Sequence, residues 1–120
     1  MIVSEIGTEE KVLTLRELCQ LLNISRRTVQ GYEAQGLVAP SGKTNMGHLV
    51  YDAAAQERVR SIRKYQEYGF QLKKIALLLD APNAVLKLEL EARLAELRQE
   101  SRNMRKAILE LEAELDSLKI

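Results

Sequence analysis

Arg26, Arg27 and Gln30 are the side chains whose types and spacing best suit hydrogen-bonding chemistry at a surface. They share the outer side of a predicted helix, with both arginines in its first turn and Gln30 one turn further on. An arginine can pair bidentately with guanine or grip a phosphate, and a glutamine can pair bidentately with adenine. In isolation, such residues are more often plain solvated surface, so their meaning depends on the elements that position them.

Two further groups of polar side chains could bind an anionic polymer. The first group lies in a flexible segment rich in Gly, Ser, Asn and Lys and comprises Lys43, Thr44, Asn45 and His48. The second group is Lys73 and Lys74, in the first turn of another predicted helix, where free N–H groups attract anions. A solvated face is the alternative for the two lysines.

The sequence gives little support for a metal site or for enzyme catalysis. His48 is the only histidine and Cys19 the only cysteine, which excludes an internal disulfide and a zinc site of the usual kind. Cys19 falls on the apolar stripe of its helix and is interpreted as a buried thiol. The sequence has no Gly-rich phosphate loop and no HExxH motif. We therefore expect no cofactor and no catalysis.

Positive charge is concentrated in the middle of the chain. Residues 11–80 hold eleven basic and six acidic side chains, whereas residues 1–10 hold three acidic side chains and no basic one. Residues 81–120 are nearly balanced, with seven basic and eight acidic side chains. A local excess of cations suits a phosphate-binding surface. No apolar run is long enough to span a bilayer, so we expect no membrane contact and a cytoplasmic location.

The elements around Arg26 and Arg27 are predicted to be two short helices joined by a tight turn. Thr14 and Glu17 have the spacing of a capping box for the first helix. Ser25 is a suitable N-cap for the second helix, which should end near Gln35 before a left-handed Gly36, with Val29 and Ala34 facing inward. This arrangement predicts a helix-turn-helix.

A hairpin and two more helices are predicted to follow. "LVA" (37–39) and "HLVY" (48–51) read as strands around a tip at residues 41–47, which makes the hairpin a wing. Asp52 should cap a third helix with Ala55, Val59 and Ile62 inward and a basic flank outward. The fourth helix should turn four apolar side chains inward: Leu72, Ile75, Ala76 and Leu79.

The last segment, predicted to be one helix over residues 83–120, carries a heptad seam. Its positions alternate by four and three residues, and all are apolar except Ser101: Leu90, Leu94, Leu97, Ser101, Met104, Ile108, Leu111, Leu115 and Leu118. A single helix cannot bury such a seam, so a partner helix is expected, with self-association as a coiled coil favoured. The alternative is that the helix folds back on its own domain.

Four of these stretches together resemble the MerR family of bacterial transcription regulators. "LTLRELCQLLNISRRTVQGYEAQGLVAP" resembles its helix-turn-helix and wing entry, "GHLVYD" its wing return, and "VRSIRKYQEYGFQLKKIALLLD" its second helix pair; the heptads match its dimerising helix. The resemblance implies a mainly α fold: an N-terminal arm (1–12), a winged helix-turn-helix domain (13–80), and a long helix (83–120) that forms an antiparallel coiled coil in a homodimer.

The resemblance also implies the function and further site residues. Arg27, Thr28 and Tyr32, and more loosely Lys43 and Tyr51, match family positions that contact DNA. Tyr32 could alternatively pack against the base of the wing. A family member acts at the nucleoid on a palindromic promoter, by repression or by distorting the duplex, with RNA polymerase as a further expected partner. The sequence shows no effector domain after the heptads, so either the coding sequence is this short or a sensor domain has been left out, and no effector is assigned.

The chain departs from the family pattern at the centre of its second helix. Gln30 stands where the family has arginine, and Gly31 stands where it has tyrosine. Gly31 costs about 1 kcal/mol of helix propensity relative to alanine, so a close approach of another backbone is one explanation. The departures leave an alternative function open, that of a MerR-like adaptor that binds a protein partner and has lost DNA binding.

Overall fold

A computed structural model describes residues 11–118. The predicted N-terminal arm therefore lies almost wholly outside the described residues. The elements in chain order are β1 (Leu13–Thr14), α1 (Leu15–Leu22), α2 (Arg26–Ala34), β2 (Gly42–Lys43), β3 (Leu49–Tyr51), α3 (Ala53–Glu67), α4 (Leu72–Leu79) and α5 (Asn83–Leu118). The fold is mainly helical with a small β wing, as predicted.

The helix-turn-helix is built by local capping. Thr14 Oγ1 accepts a hydrogen bond from the Glu17 amide at 3.2 Å, and the Glu17 carboxylate accepts one from the Thr14 amide at 2.9 Å. Asn23 ends α1 with a left-handed backbone (φ 55°), which asparagine tolerates. Ser25 then accepts the Thr28 amide at 3.0 Å and begins α2. The capping predictions at Thr14 and Ser25 are confirmed.

The wing is shorter than predicted and has a third strand. The sheet order is β1-β3-β2, and both pairings are antiparallel, with Leu13 opposite Tyr51 and Gly42 opposite Val50. The prediction of a strand at residues 37–39 is wrong. Leu37 and Val38 are buried in irregular backbone, so their apolar character reflects packing in the core rather than pairing in a β-sheet.

The core of the winged domain lies where α1, α2, α3, α4 and β3 meet. Its fully buried large side chains are Leu18, Val29, Tyr51, Val59, Ile62 and Ile75. Two of the predicted inward positions are wrong, because Ala34 and Ala76 are exposed. Tyr32 of α2 and Leu78 of α4 are buried instead, since larger apolar surfaces gain more from burial than a methyl group does.

Two half-buried arginines of the predicted basic flank of α3 bind backbone carbonyls of other elements. Arg58 Nε donates to the Leu37 carbonyl, and its terminal nitrogens lie 3.3 and 3.5 Å from the Asp80 carboxylate. Arg63 donates to the Leu22 carbonyl at the end of α1. These side chains therefore hold the helix-turn-helix and the start of the wing against α3.

The chain divides after Asp80 into two units, and the second consists of residues from 81 onward. Within it, α5 is one helix of 36 residues. Pro82 supplies the carbonyl that accepts the Val85 and Leu86 amides, so the helix begins at Asn83 rather than being capped by it. The seam of α5 is open from Leu94 onward, where its apolar side chains are 36 to 67% exposed. None of the helices within residues 11–118 is long and apolar enough to cross a bilayer.

Candidate nucleic-acid interface

The outer face of α2 presents the predicted hydrogen-bond donors. Arg26, Arg27 and Gln30 are exposed, and Val29 anchors the opposite face in the core. Thr28 is half-buried, and its hydroxyl lies 2.8 Å from that of Ser25. Two guanidinium groups and one primary amide are therefore exposed on a helix whose opposite face packs in the core.

Gly31 lies on the same exposed side of α2 and has no neighbour in the described structure. A Cβ built on it meets no heavy atom within 4 Å. Within residues 11–118, the suggested close approach of another backbone to Gly31 is therefore not found. Because Gly31 has no side chain, the helix surface has a shallow depression there, between the flanking polar side chains.

A groove of about 800 Å³ joins α2 to α1 and the wing. Besides Arg26, Gln30 and His48, its walls include Arg16 and Gln20 of α1, which were not among the predicted donors. Glu17 also lines it, but its carboxylate accepts the Thr14 amide at 2.9 Å. Their position on the polar face of α1 is the sequence feature that could have identified Arg16 and Gln20 as candidate donors. The groove therefore gathers donors from three elements, which is the arrangement that a phosphate backbone requires.

The tip of the wing is closed by its own hydrogen bonds. The Thr44 amide donates to the His48 carbonyl at 2.8 Å, and the Gly47 amide donates to the Thr44 carbonyl at 2.9 Å. The His48 amide also donates to Thr44 Oγ1 at 3.1 Å. Lys43, Asn45 and His48 are exposed around this turn. The tip predicted to be a long flexible segment is thus a compact turn with polar side chains outside it.

Tyr32 and Tyr51 are not at the surface. They are 2% and 0% exposed, and the Tyr32 hydroxyl donates to Gln66 Oε1 at 2.6 Å while the Tyr51 hydroxyl donates to Glu33. Burial raises the pKa of both hydroxyl groups, and the Glu33 carboxylate adds to the rise at Tyr51. Both hydroxyls are thus buried and internally bonded, which favours a packing role, and a contact with DNA at Tyr32 or Tyr51 stays a prediction.

Lys73 and Lys74 lie in the first turn of α4 and are not among the residues that line the groove. Lys73 is exposed and Lys74 is half-buried. Gln71, at the N-cap of α4, makes no side-chain capping bond. The structure does not bring these lysines to the groove, and a contact with DNA there stays a prediction.

Comparison with known proteins gives a consistent result for the winged domain. Residues 13–82 match the MerR HTH family of regulatory proteins. MerD of Shigella flexneri, an HTH-type transcriptional regulator, is 32% identical over 105 residues that cover 88% of this chain and 88% of MerD. The nodulation protein NolA of Bradyrhizobium sp. (strain NC92) is 32% identical over 117 residues that cover 85% of this chain and 49% of NolA.

A solved structure extends the likeness to the fold. The N-terminal part of Mta, the multidrug transporter activator of Bacillus subtilis, superposes with a TM-score of 0.71 at 28% identity, and the match covers 85% of this chain and 96% of that chain. The chain spans about half the length of NolA but most of the length of MerD. From the match over residues 13–82 and the similarity to MerD, the chain belongs to the MerR family of helix-turn-helix regulatory proteins.

Proposed function

We propose that this protein is a homodimeric, sequence-specific DNA-binding regulator of transcription. The observation that carries the proposal is the groove in which Arg16, Arg26, Gln30 and His48 converge from α1, α2 and the wing. Similarity to MerD, described as a transcriptional regulator, and to Mta, described as a transporter activator, supports it.

On the DNA, α2 would enter the major groove with its N-terminal half foremost. Arg27 and Gln30 would meet base edges, because their side chains are exposed on the outer face of the helix. Arg16 and Arg26, at the N-terminal ends of α1 and α2, would meet phosphates on either side of the same strand. Lys43, Thr44, Asn45 and His48 would follow the backbone from the wing.

The partner of α5 would be a second copy of the chain. Its seam is apolar over four heptads except at Ser101, and side chains such as Ile108 and Leu115 are 50 and 67% exposed. In water such a stripe needs another helix with the same period, and this chain provides one. Antiparallel pairing would carry the two winged domains to opposite ends of the coiled coil, which suits a palindromic promoter site. RNA polymerase would be the further partner at such a promoter.

The experiment that tests DNA binding uses the DNA upstream of the protein's own gene. We expect a shifted complex at low salt, and an affinity that falls steeply with salt because phosphate contacts release counterions. A protection footprint on the same fragment would show whether the site is symmetric. A protein that fails to shift this DNA, and fails to enrich any duplex from a random pool, would contradict the proposal.

A second candidate function is favoured by one feature of α2. Gly31 leaves the centre of the face that would read DNA without a side chain, which would reduce the contacts that this face can make. A MerR-like adaptor that binds a protein partner would tolerate such a loss. Failure to bind duplex by a folded dimer would favour the adaptor.

A further inference from the structure

We propose that Met46 acts as an apolar wedge, inserted from the wing tip into the minor groove beside each half-site. The inference rests on the proposed DNA-binding function and deepens it. Met46 is 82% exposed, more than the other exposed large apolar side chains of the described chain. Its neighbours at the tip are polar, so no apolar cluster within the wing accounts for it.

The turn around Met46 is held by backbone hydrogen bonds. Amide hydrogen bonds from Thr44 to His48 and from Gly47 to Thr44, at 2.8 and 2.9 Å, close it on both sides. Gly47 has a φ of 86°, a left-handed conformation that lets the chain reverse directly after Met46. The side chain is therefore presented outward by a fixed backbone, which lowers the entropy cost of inserting it.

The position of the tip points to the minor groove. Gly47 and His48 line the same groove as Arg26 and Gln30 of α2, and the exposed Met46 directly precedes Gly47 at the wing tip. When a DNA strand lies in that groove, the major groove is on the side of α2 and the minor groove is on the side of the wing tip. The minor groove is about 6 Å wide, which excludes a helix but admits one side chain from a tight turn.

The chemistry of the contact follows from the side chain. An unbranched apolar group that enters the minor groove separates two stacked base pairs and bends the duplex away from itself. Pyrimidine–purine steps unstack most easily, so they should be preferred at the contacted position. Met46 would thereby confer sequence preference at a step to which it donates no hydrogen bond.

The test uses the full chain and a duplex that it enriches from a random pool. 2-Aminopurine is placed at the step flanking the half-site, because its fluorescence rises on unstacking, and the bend is measured by energy transfer between dyes at the duplex ends. Met46→Ala should abolish the fluorescence rise and lower the bend by about 20° or more. Met46→Leu should retain both effects. Leu77→Ala, which truncates another exposed apolar residue on α4, should behave as the unaltered protein.

The outcomes separate the two proposals. If no duplex is enriched, the proposed DNA-binding function fails. If the unaltered protein binds duplex but Met46→Ala leaves fluorescence and bend unchanged, only the wedge is overturned. The wedge is also overturned if Met46→Ala instead loses a protein partner while its DNA complex keeps the same bend.

Discussion

The Tyr51 hydroxyl on β3 donates a hydrogen bond to the Glu33 carboxylate in the last turn of α2. Tyr51 is fully buried and Glu33 is half-buried, so the bond ties the wing to the helix that carries Arg27 and Gln30. The Tyr51 carbonyl in turn accepts a hydrogen bond at 2.9 Å from the buried Gln56 side chain of α3. The wing and α2 are therefore held as one unit against α3.

Removal of that hydroxyl should destabilise the winged domain. Tyr51→Phe leaves the half-buried Glu33 carboxylate without its donor, and we expect a loss of about 1–3 kcal/mol in the free energy of unfolding. Urea unfolding followed by circular dichroism would measure it. Tyr65→Phe, at another buried tyrosine on α3, is the control and should cost less. Equal losses would show that the Tyr51–Glu33 bond is not the cause.

The same bond predicts an alkaline limit to stability. Burial and then Glu33 raise the pKa of Tyr51 in the folded state, so above the ordinary tyrosine pKa of about 10 the unfolded chain releases a proton that the folded chain keeps. The contribution of Tyr51 is thus complete below that pH and declines as the pH rises through it. Urea midpoints measured across this range should fall less for Tyr51→Phe than for the unaltered protein.

Gly31→Ala should stabilise α2. The added methyl group meets no heavy atom within 4 Å, so the gain in helix propensity of about 1 kcal/mol is unopposed. Gly36→Ala is the matched control, because Gly36 has a φ of 75° and the same substitution there is strained. Urea midpoints should shift in opposite directions for the two variants. A lower midpoint for Gly31→Ala would mean that α2 is packed differently.

Arg27→Ala should weaken DNA binding by about tenfold or more, the range expected for a lost bidentate contact with a base. Lys106→Ala removes an equal charge from an exposed position of α5 and should change affinity much less. Fluorescence anisotropy with the enriched duplex at two salt concentrations would separate the effects. Equal losses for both variants would indicate non-specific attraction between charges rather than a contact by α2.

Leu97→Glu combined with Leu111→Glu should convert the protein into a monomer, because both substitutions place charge in the apolar seam of α5. Leu88→Glu with Leu109→Glu is the matched control. These leucines are also exposed, at 67 and 62%, but lie outside the heptad register. Light scattering should report a monomer for the first pair and a dimer for the second. A dimer for both pairs would refute the proposal that the apolar seam of α5 holds the dimer together.

Features encoded within a few residues were predictable from the sequence. The capping pairs at Thr14 and Ser25 are of this kind. The 36-residue length of α5 also followed from the sequence, because its heptad pattern repeats every seven residues. The strand Leu13–Thr14 was not predictable, because two residues form a strand only by pairing with β3, far along the chain. The burial of Tyr51 was missed, and that of Tyr32 was foreseen only as an alternative, for a related reason. A tyrosine suits a surface or a core equally well, and only the partners Gln66 and Glu33 decide which.

The candidate site shows the same division. Arg26, Arg27 and Gln30 followed from helical spacing, whereas Arg16 and Gln20 emerged only when α1 was placed beside the wing. Ala34 was misplaced because a methyl group contributes too little to determine which face of a helix turns inward.

The arginines of α3 bear on how DNA contacts in this protein should be mapped. Arg58 and Arg63 hold the carbonyls of Leu37 and Leu22, beside the wing entry and the end of α1. An alanine scan scored only by promoter activity would rank both among the DNA contacts, although their replacement would act by loosening the domain. Each loss-of-function arginine variant therefore has to be paired with a melting curve before it is assigned to the interface.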